Sequence, residues 1–207
     1  MSDILKFAEL LCTKFCHDVI GPVGAVSNGM EFLQEELPDL NSQALDLVNN
    51  SSLEATSRLK FYRQAFGQNI SDSSVSLTEA REVCEQYLSH GKVELLWPDE
   101  ATDISGISVT SYQRKLILNL ISIAANSLIK GGKVEFSVGN DFINITAEGD
   151  MVKFDATTKD CLEGQFSLDN LDPRSIQIYY TSLTSQEAGN KINITESSTS
   201  LNFRIDT

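Results

Sequence analysis

A run of apolar positions constrains the start of this chain more than any other feature. Ile4, Ala8, Leu11, Phe15, Val19, Pro22, Val26, Met30, Leu33 and Leu37 are all apolar and follow one another at spacings of three or four. That is the period of an α-helix with one continuous apolar face. "PDLN" after Leu37 ends the helix, and Asn41 or Ser42 can cap the next. The second stripe, Leu45, Val48, Ser52, Ala55, Leu59, Tyr62 and Phe66, keeps a strict three-four alternation. Ser52 and Ala55 are small and allow close approach. Two such helices joined by a short turn make an antiparallel hairpin. A lone hairpin cannot cover stripes this long, so the expected completion is a homodimer built on a four-helix bundle.

Residues 67–76, "GQNISDSSVS", are polar and aperiodic. They read as a linker between a hairpin domain at 1–68 and a second domain at 76–207. The second domain alternates elements: a helix near 77–89, a strand near 92–97, a helix near 110–130, and strands near 133–138 and 142–148. "VGND" is a plausible hairpin turn between the last two. An irregular stretch follows, then a helix near 173–188 begun by Asp172-Pro173 with Pro at its first position. The strands "KINIT" and "SLNFRI" close the chain. The expected fold is α+β: the helical hairpin, then a mixed sheet covered by helices on one side.

Inside the first helix stands "CHDVIGPV", residues 16–23, which places Gly and Pro where a helix tolerates them least. His17 lies opposite the apolar stripe and should be exposed. Lys14, Gly21 and Gly24 fall on the same face, three to seven residues away. Each glycine costs about 1 kcal/mol in a helix interior. On this reading they clear a landing area around the imidazole for another protein, and Pro22 bends the helix just beyond it. Asp18 follows His17 directly and is about 100° further round the helix.

Charge and cysteine usage narrow the partners. The net charge is −13 over 207 residues, which disfavours nucleic acid and anionic membranes because both need basic patches. No apolar run approaches the roughly 20 residues of a membrane span, and "MSDILKFAELL" lacks the order of a signal peptide. The four cysteines, Cys12, Cys16, Cys84 and Cys161, include no CxxC pair, which suits reduced thiols in the cytoplasm. Cys12, Cys16 and His17 do not make a metal site, because His17 points away and a fourth ligand is missing. The same divergence excludes a Cys16–His17 nucleophile and base. His90, in "LSHGK", reads as a loop residue without partners.

"HDVIGPV" matches the His-acid-x-x-x-Pro-apolar box of sensor histidine kinases, and the element order of the second domain resembles their ATP-binding domain. "FCHDVIGPVGAVSNGMEFL", "LTEAREVCEQYL…VELLWP" and "IQIYYTSLTSQEAGNKI" together resemble the ChpT-type histidine phosphotransferases over nearly the whole chain. The nucleotide boxes depart from the kinase pattern. In "LNLISIAANSL", Asn119 and Leu120 match, but the metal-binding position is Ile123, which has no oxygen to offer Mg²⁺, and Asn126 comes one turn late. The Asp-x-Gly of adenine recognition reads Ala147-Glu148-Gly149. The lid region, 150–175, has one glycine, Gly164. "GGK" at 131–133 reads as a helix end leading into a strand rather than a phosphate loop.

The resemblance therefore implies a degenerate ATP-binding fold with no bound cofactor or metal of its own, and no autonomous ATP-dependent kinase activity. It implies transfer of a phosphoryl group between receiver-domain aspartates through His17, with Mg²⁺ supplied by the receiver. A hybrid-kinase receiver as donor and a downstream response regulator as acceptor are the implied partners. Asp18 is the candidate polarising acid, and Lys14, Gly21 and Gly24 are candidate docking residues. Two alternatives stand beside it: an active sensor-type kinase core, and a dimeric adaptor without chemistry.

Overall fold

The structure is a computed structural model that describes residues 2–34, 41–68, 77–98, 109–139, 141–165 and 167–206. Helix α1 (Asp3–Gln34) runs unbroken through Pro22 and packs against α2 (Asn41–Phe66) along its length. The inward line of α1 includes Phe15, Val19, Pro22, Val26 and Leu33, as its periodicity predicts, and also Phe7, Lys14, Asp18 and Gly29. Gly29 is buried because a Cβ there would lie 2.6 Å from a methyl of Val48. It is the closest approach of the two helices that a glycine on α1 permits. The predicted stripes do not make one buried face. Ile4, Met30, Leu45 and Leu59 are exposed in the single chain. Leu37, the first three residues of "PDLN" and most of the proposed linker, 69–76, lie outside the described residues.

Helix α3 (Leu77–Leu88), strand β1 (Val93–Leu96), helix α4 (Ser111–Ser127), strands β2 (Gly132–Val138) and β3 (Phe142–Glu148), helices α5 (Ala156–Leu162) and α6 (Ile176–Glu187), and strands β4 (Ile192–Glu196) and β5 (Ser200–Asp206) complete the fold. The five strands form one sheet in the order β1-β2-β3-β5-β4. Only β1 and β2 pair in parallel, which makes the sheet mixed. The alternation of β3 and β5 sends Ile143, Ile145, Ala147, Leu201, Phe203 and Ile205 into the core. Their neighbours Asn144, Thr146, Asn202 and Arg204 occupy the other face, where Asn202 donates to Thr146 at 2.8 Å. Helix α4 lies across the apolar face and is buried on nearly all sides. Its start is fixed by a capping box between Thr110 and Gln113.

The hairpin and the sheet share this core. Phe61 of α2 stacks on Tyr87 of α3 at 4.0 Å, and Phe66 meets Tyr180 of α6 at 4.8 Å. Phe7 of α1 reaches Tyr179 and Tyr180.

Two boundaries differ from the sequence expectation. Pro173 does not open α6. Asp172 Oδ1 accepts from the backbone of Arg174 and Ser175, forming a turn that delays the helix to Ile176. The stretch before it is also less irregular than expected, because Asp155 caps Thr158 and starts the short helix α5. "GGK" behaves as predicted: Gly131, at φ 87°, donates to Leu128 and turns the chain into β2.

Candidate functional site

Helix α1 presents His17 to solvent with 84% of its side chain exposed. Its Nδ1 lies 3.2 Å from Oδ1 of Asp18. A carboxylate only accepts hydrogen bonds, so this contact assigns the ring hydrogen to Nδ1. The lone pair of the neutral imidazole is then on Nε2.

Asp18 is not a solvated helix carboxylate. Its side chain is 23% exposed, and its Oδ2 accepts from Lys14 at 2.8 Å and from the Tyr62 hydroxyl at 2.5 Å. Burial pushes its pKa up, but the hydrogen bonds from Lys14 and Tyr62, the charge of Lys14 and the contact with His17 outweigh it. The carboxyl group is held below its ordinary value and stays ionised. Burial, chiefly, drives the Tyr62 hydroxyl far above the ordinary phenol range, aided by Tyr87 and Asp18, so Tyr62 remains a donor. The Tyr62 ring is held by Phe15, stacked at 4.7 Å, which in turn contacts Phe66 at 4.9 Å. Arg58, one turn before Tyr62 on α2, donates Nη1 to the backbone carbonyl of Asp18 and pairs through Nη2 with Glu54.

Sequence reasoning placed His17 and Asp18 together but missed Tyr62 and Arg58. The signal was a tyrosine near the end of an apolar stripe broken only by Ser52, with Arg58 one turn before it on α2. Lys14 departs from the sequence expectation. It does not stand free beside His17 on the exposed face; its side chain is only 13% exposed and is committed to Asp18. Gly21 and Gly24 border open space, since a Cβ on either would meet no atom within 4 Å. Among the described residues nothing requires glycine there, in contrast to Gly29. Cys12 and Cys16 are exposed on α1, while Cys84 and Cys161 are buried. His90 is exposed on the turn after α3.

At the positions that resemble kinase nucleotide boxes, side chains serve the core. Asn119 is fully buried; its amide donates to the carbonyls of Ala65 and Lys115 and its oxygen accepts from Gln177. These bonds tie α4 to the end of α2 and to α6. Ile123 is buried beside it, and Ala147 is buried in β3. No helix among the described residues is long and apolar enough to cross a membrane.

Comparison with known proteins gives the family. Residues 77–200 match the family model described as the histidine phosphotransferase C-terminal domain. The chain is 32% identical to protein phosphotransferase ChpT of Brucella abortus (strain 2308), over 92% of this chain and 90% of that protein. It superposes on the solved structure of a bacterial phosphotransferase with a TM-score of 0.82 and 29% identity, covering 98% of this chain and 96% of that one. The family model spans more than half of the chain, and the Brucella relative is matched over nine-tenths of its length, so the chain belongs to the histidine phosphotransferase family.

Proposed function

We propose that this protein is a relay in a multistep phosphotransfer system, carrying a phosphoryl group on Nε2 of His17 from one receiver-domain aspartate to another. The observation that carries the reading is the pairing of a solvent-facing His17 with an immobilised Asp18. The Nε2 lone pair attacks the phosphorus of the donor's aspartyl phosphate. A P–N bond forms as the P–O bond breaks, and the donor aspartate leaves as a carboxylate. The ring is now a phosphorylated imidazolium whose Nδ1–H faces the Asp18 carboxylate, so its positive charge is balanced in place. The second receiver's aspartate attacks the same phosphorus and the steps run in reverse. Mg²⁺ comes with the receiver and neutralises charge on the transferring group.

Gly21 and Gly24 leave room beside His17 for the receiver. Two chains pair through the exposed apolar residues of the hairpin, Leu45 and Leu59 among them, into a four-helix bundle. Four free thiols suit a cytoplasmic setting. Autonomous kinase activity is disfavoured by the internal hydrogen bonds of Asn119 and by Ile123 at the metal position.

A two-receiver chase tests the reading. The chain is incubated with one ³²P-labelled receiver domain, freed of it, and mixed with a second. Label should move first to the chain and then to the second receiver. Label that never leaves the first receiver, across a panel of receivers, would contradict a relay.

A further inference from the structure

Pro22 and Asp18 are four residues apart in α1, the separation of a helical hydrogen bond. Pro22 has no N–H, and its ring crowds the carbonyl of residue 18. The Asp18 carbonyl therefore loses its i+4 partner inside its own helix. A buried or half-buried carbonyl without a partner is costly, so the donor must come from elsewhere. It comes from α2: Nη1 of Arg58 donates to that carbonyl. Arg58 is fixed in turn by Glu54, one turn earlier on the same helix, through Nη2. The residue whose backbone Arg58 grips is the one whose side chain sets the ring hydrogen of His17.

We propose that Arg58 is a positioning residue for phosphoryl transfer, and that Pro22 creates the need for it. Pro22 opens the helix's own ladder at one carbonyl, and Arg58 uses that opening to clamp α2 onto α1 directly behind the acceptor. In a plain helix, with its ladder closed, that carbonyl would already hold the N–H of residue 22 and would not need a donor from α2. The clamp acts with the two contacts on the Asp18 side chain, Lys14 from α1 and Tyr62 from α2. Together they fix both the backbone and the carboxylate of Asp18, so the His17 Nδ1–H and the exposed Nε2 keep one orientation. This assigns Pro22 a role in the hydrogen bonding behind the site, and it rests on His17 as the phosphate acceptor.

The two halves of the proposal can be separated with three variants: Arg58→Met, which keeps the stem and removes the donors; Pro22→Ala, which restores the backbone N–H; and the double variant. Phosphoramidate serves as a small phosphodonor that needs no docking surface, and phosphohistidine is followed by ³¹P NMR. The His17 ring nitrogens are followed by ¹⁵N NMR, which reports the tautomer. Arg58→Met should label His17 about tenfold more slowly than the native chain, the scale of one charge-assisted hydrogen bond, with the Nδ1–H tautomer depleted. The double variant should recover most of the rate and the tautomer, because the backbone N–H that Pro22→Ala restores takes the Asp18 carbonyl and Arg58 is no longer needed. If Arg58→Met does not fold, recovery of folding by the added Pro22→Ala change supports the coupling. A native rate and tautomer in Arg58→Met, or a double variant no better than Arg58→Met, overturns the proposal. Failure of the native chain to be labelled on His17 would instead sink the relay reading itself.

Discussion

The Tyr62 hydroxyl on α2 donates a 2.5 Å hydrogen bond to Oδ2 of Asp18 on α1, joining the two helices of the hairpin beneath the exposed His17. Replacing Tyr62 by Phe removes this bond and leaves the ring free to stack on Phe15 as before. Asp18 would keep Lys14 as a partner. The expected loss of stability is about 1.5 kcal/mol, the range of a hydrogen bond to a charged group. Labelling of His17 should slow without being abolished. Denaturant melts and labelling time courses of Tyr62→Phe check both effects, and a variant as stable and as fast as the native chain contradicts the role given to Tyr62.

Asp18 also predicts an acid dependence of stability. Its pKa is held below the ordinary value of 3.8: burial raises it, but Lys14, Tyr62 and His17 outweigh burial. A depressed folded-state pKa adds stability above the unfolded value, and that stability is lost as pH falls through the folded value. The stability gap between the native chain and Asp18→Asn should thus be flat near neutral pH and narrow below about pH 3.8. Urea melts at a series of pH values measure it. A gap that widens on acidification has the wrong sign for this account.

Gly21 and Gly24 are predicted to serve a partner rather than the fold. A side chain at either position meets open space, whereas one at Gly29 would strike Val48. Gly24→Leu should fold normally and gain up to about 1 kcal/mol, since glycine is the poorer helix former. It should accept phosphate from phosphoramidate at the native rate yet react slowly with a phosphorylated receiver. Gly29→Leu should instead disrupt the hairpin. Native receiver kinetics in folded Gly24→Leu would remove the landing-area role.

The fold was legible where one period governed a whole segment. The stripe through Phe15, Val19 and Val26 matches α1, and the strand expected near 142–148 is β3, with Ile143, Ile145 and Ala147 on its buried face. Assigning faces was harder. Lys14 and Asp18 lie inward although both are charged, because they neutralise one another and Tyr62 completes the set. The i,i+4 spacing of Lys14 and Asp18 is visible in the sequence, but the hydroxyl from α2 that completes the set is not. The start of α6 was misplaced for a local reason: the Asp172 side chain holds a turn that outcompetes Pro173 as the first helical residue. At the site, His17 was visible through its surroundings in the sequence. Tyr62 and Arg58 come 44 and 40 positions after Asp18, and only the packing of α2 on α1 brings them to it.

Leu59 tests the proposed assembly. It is 55% exposed in the single chain, so a charge there should not disturb the protomer's own core. In a four-helix bundle the same charge would be buried without a partner, at a cost of several kcal/mol. Leu59→Glu should sediment as a folded monomer while the native chain sediments as a dimer. A native chain that is monomeric at all concentrations contradicts the bundle.

The most direct test of the central claim is the site of phosphorylation in His17→Gln. Glutamine keeps polarity and approximate bulk but has no ring nitrogen to attack phosphorus. Because His17 is exposed, the substitution should change the melting temperature little. The native chain and the variant are each incubated with a ³²P-labelled receiver domain, and the label is mapped by peptide mass spectrometry. The account predicts phosphate on His17 in the native chain and none anywhere in the folded variant. Label that persists in His17→Gln, on His90 or any other residue, would contradict it.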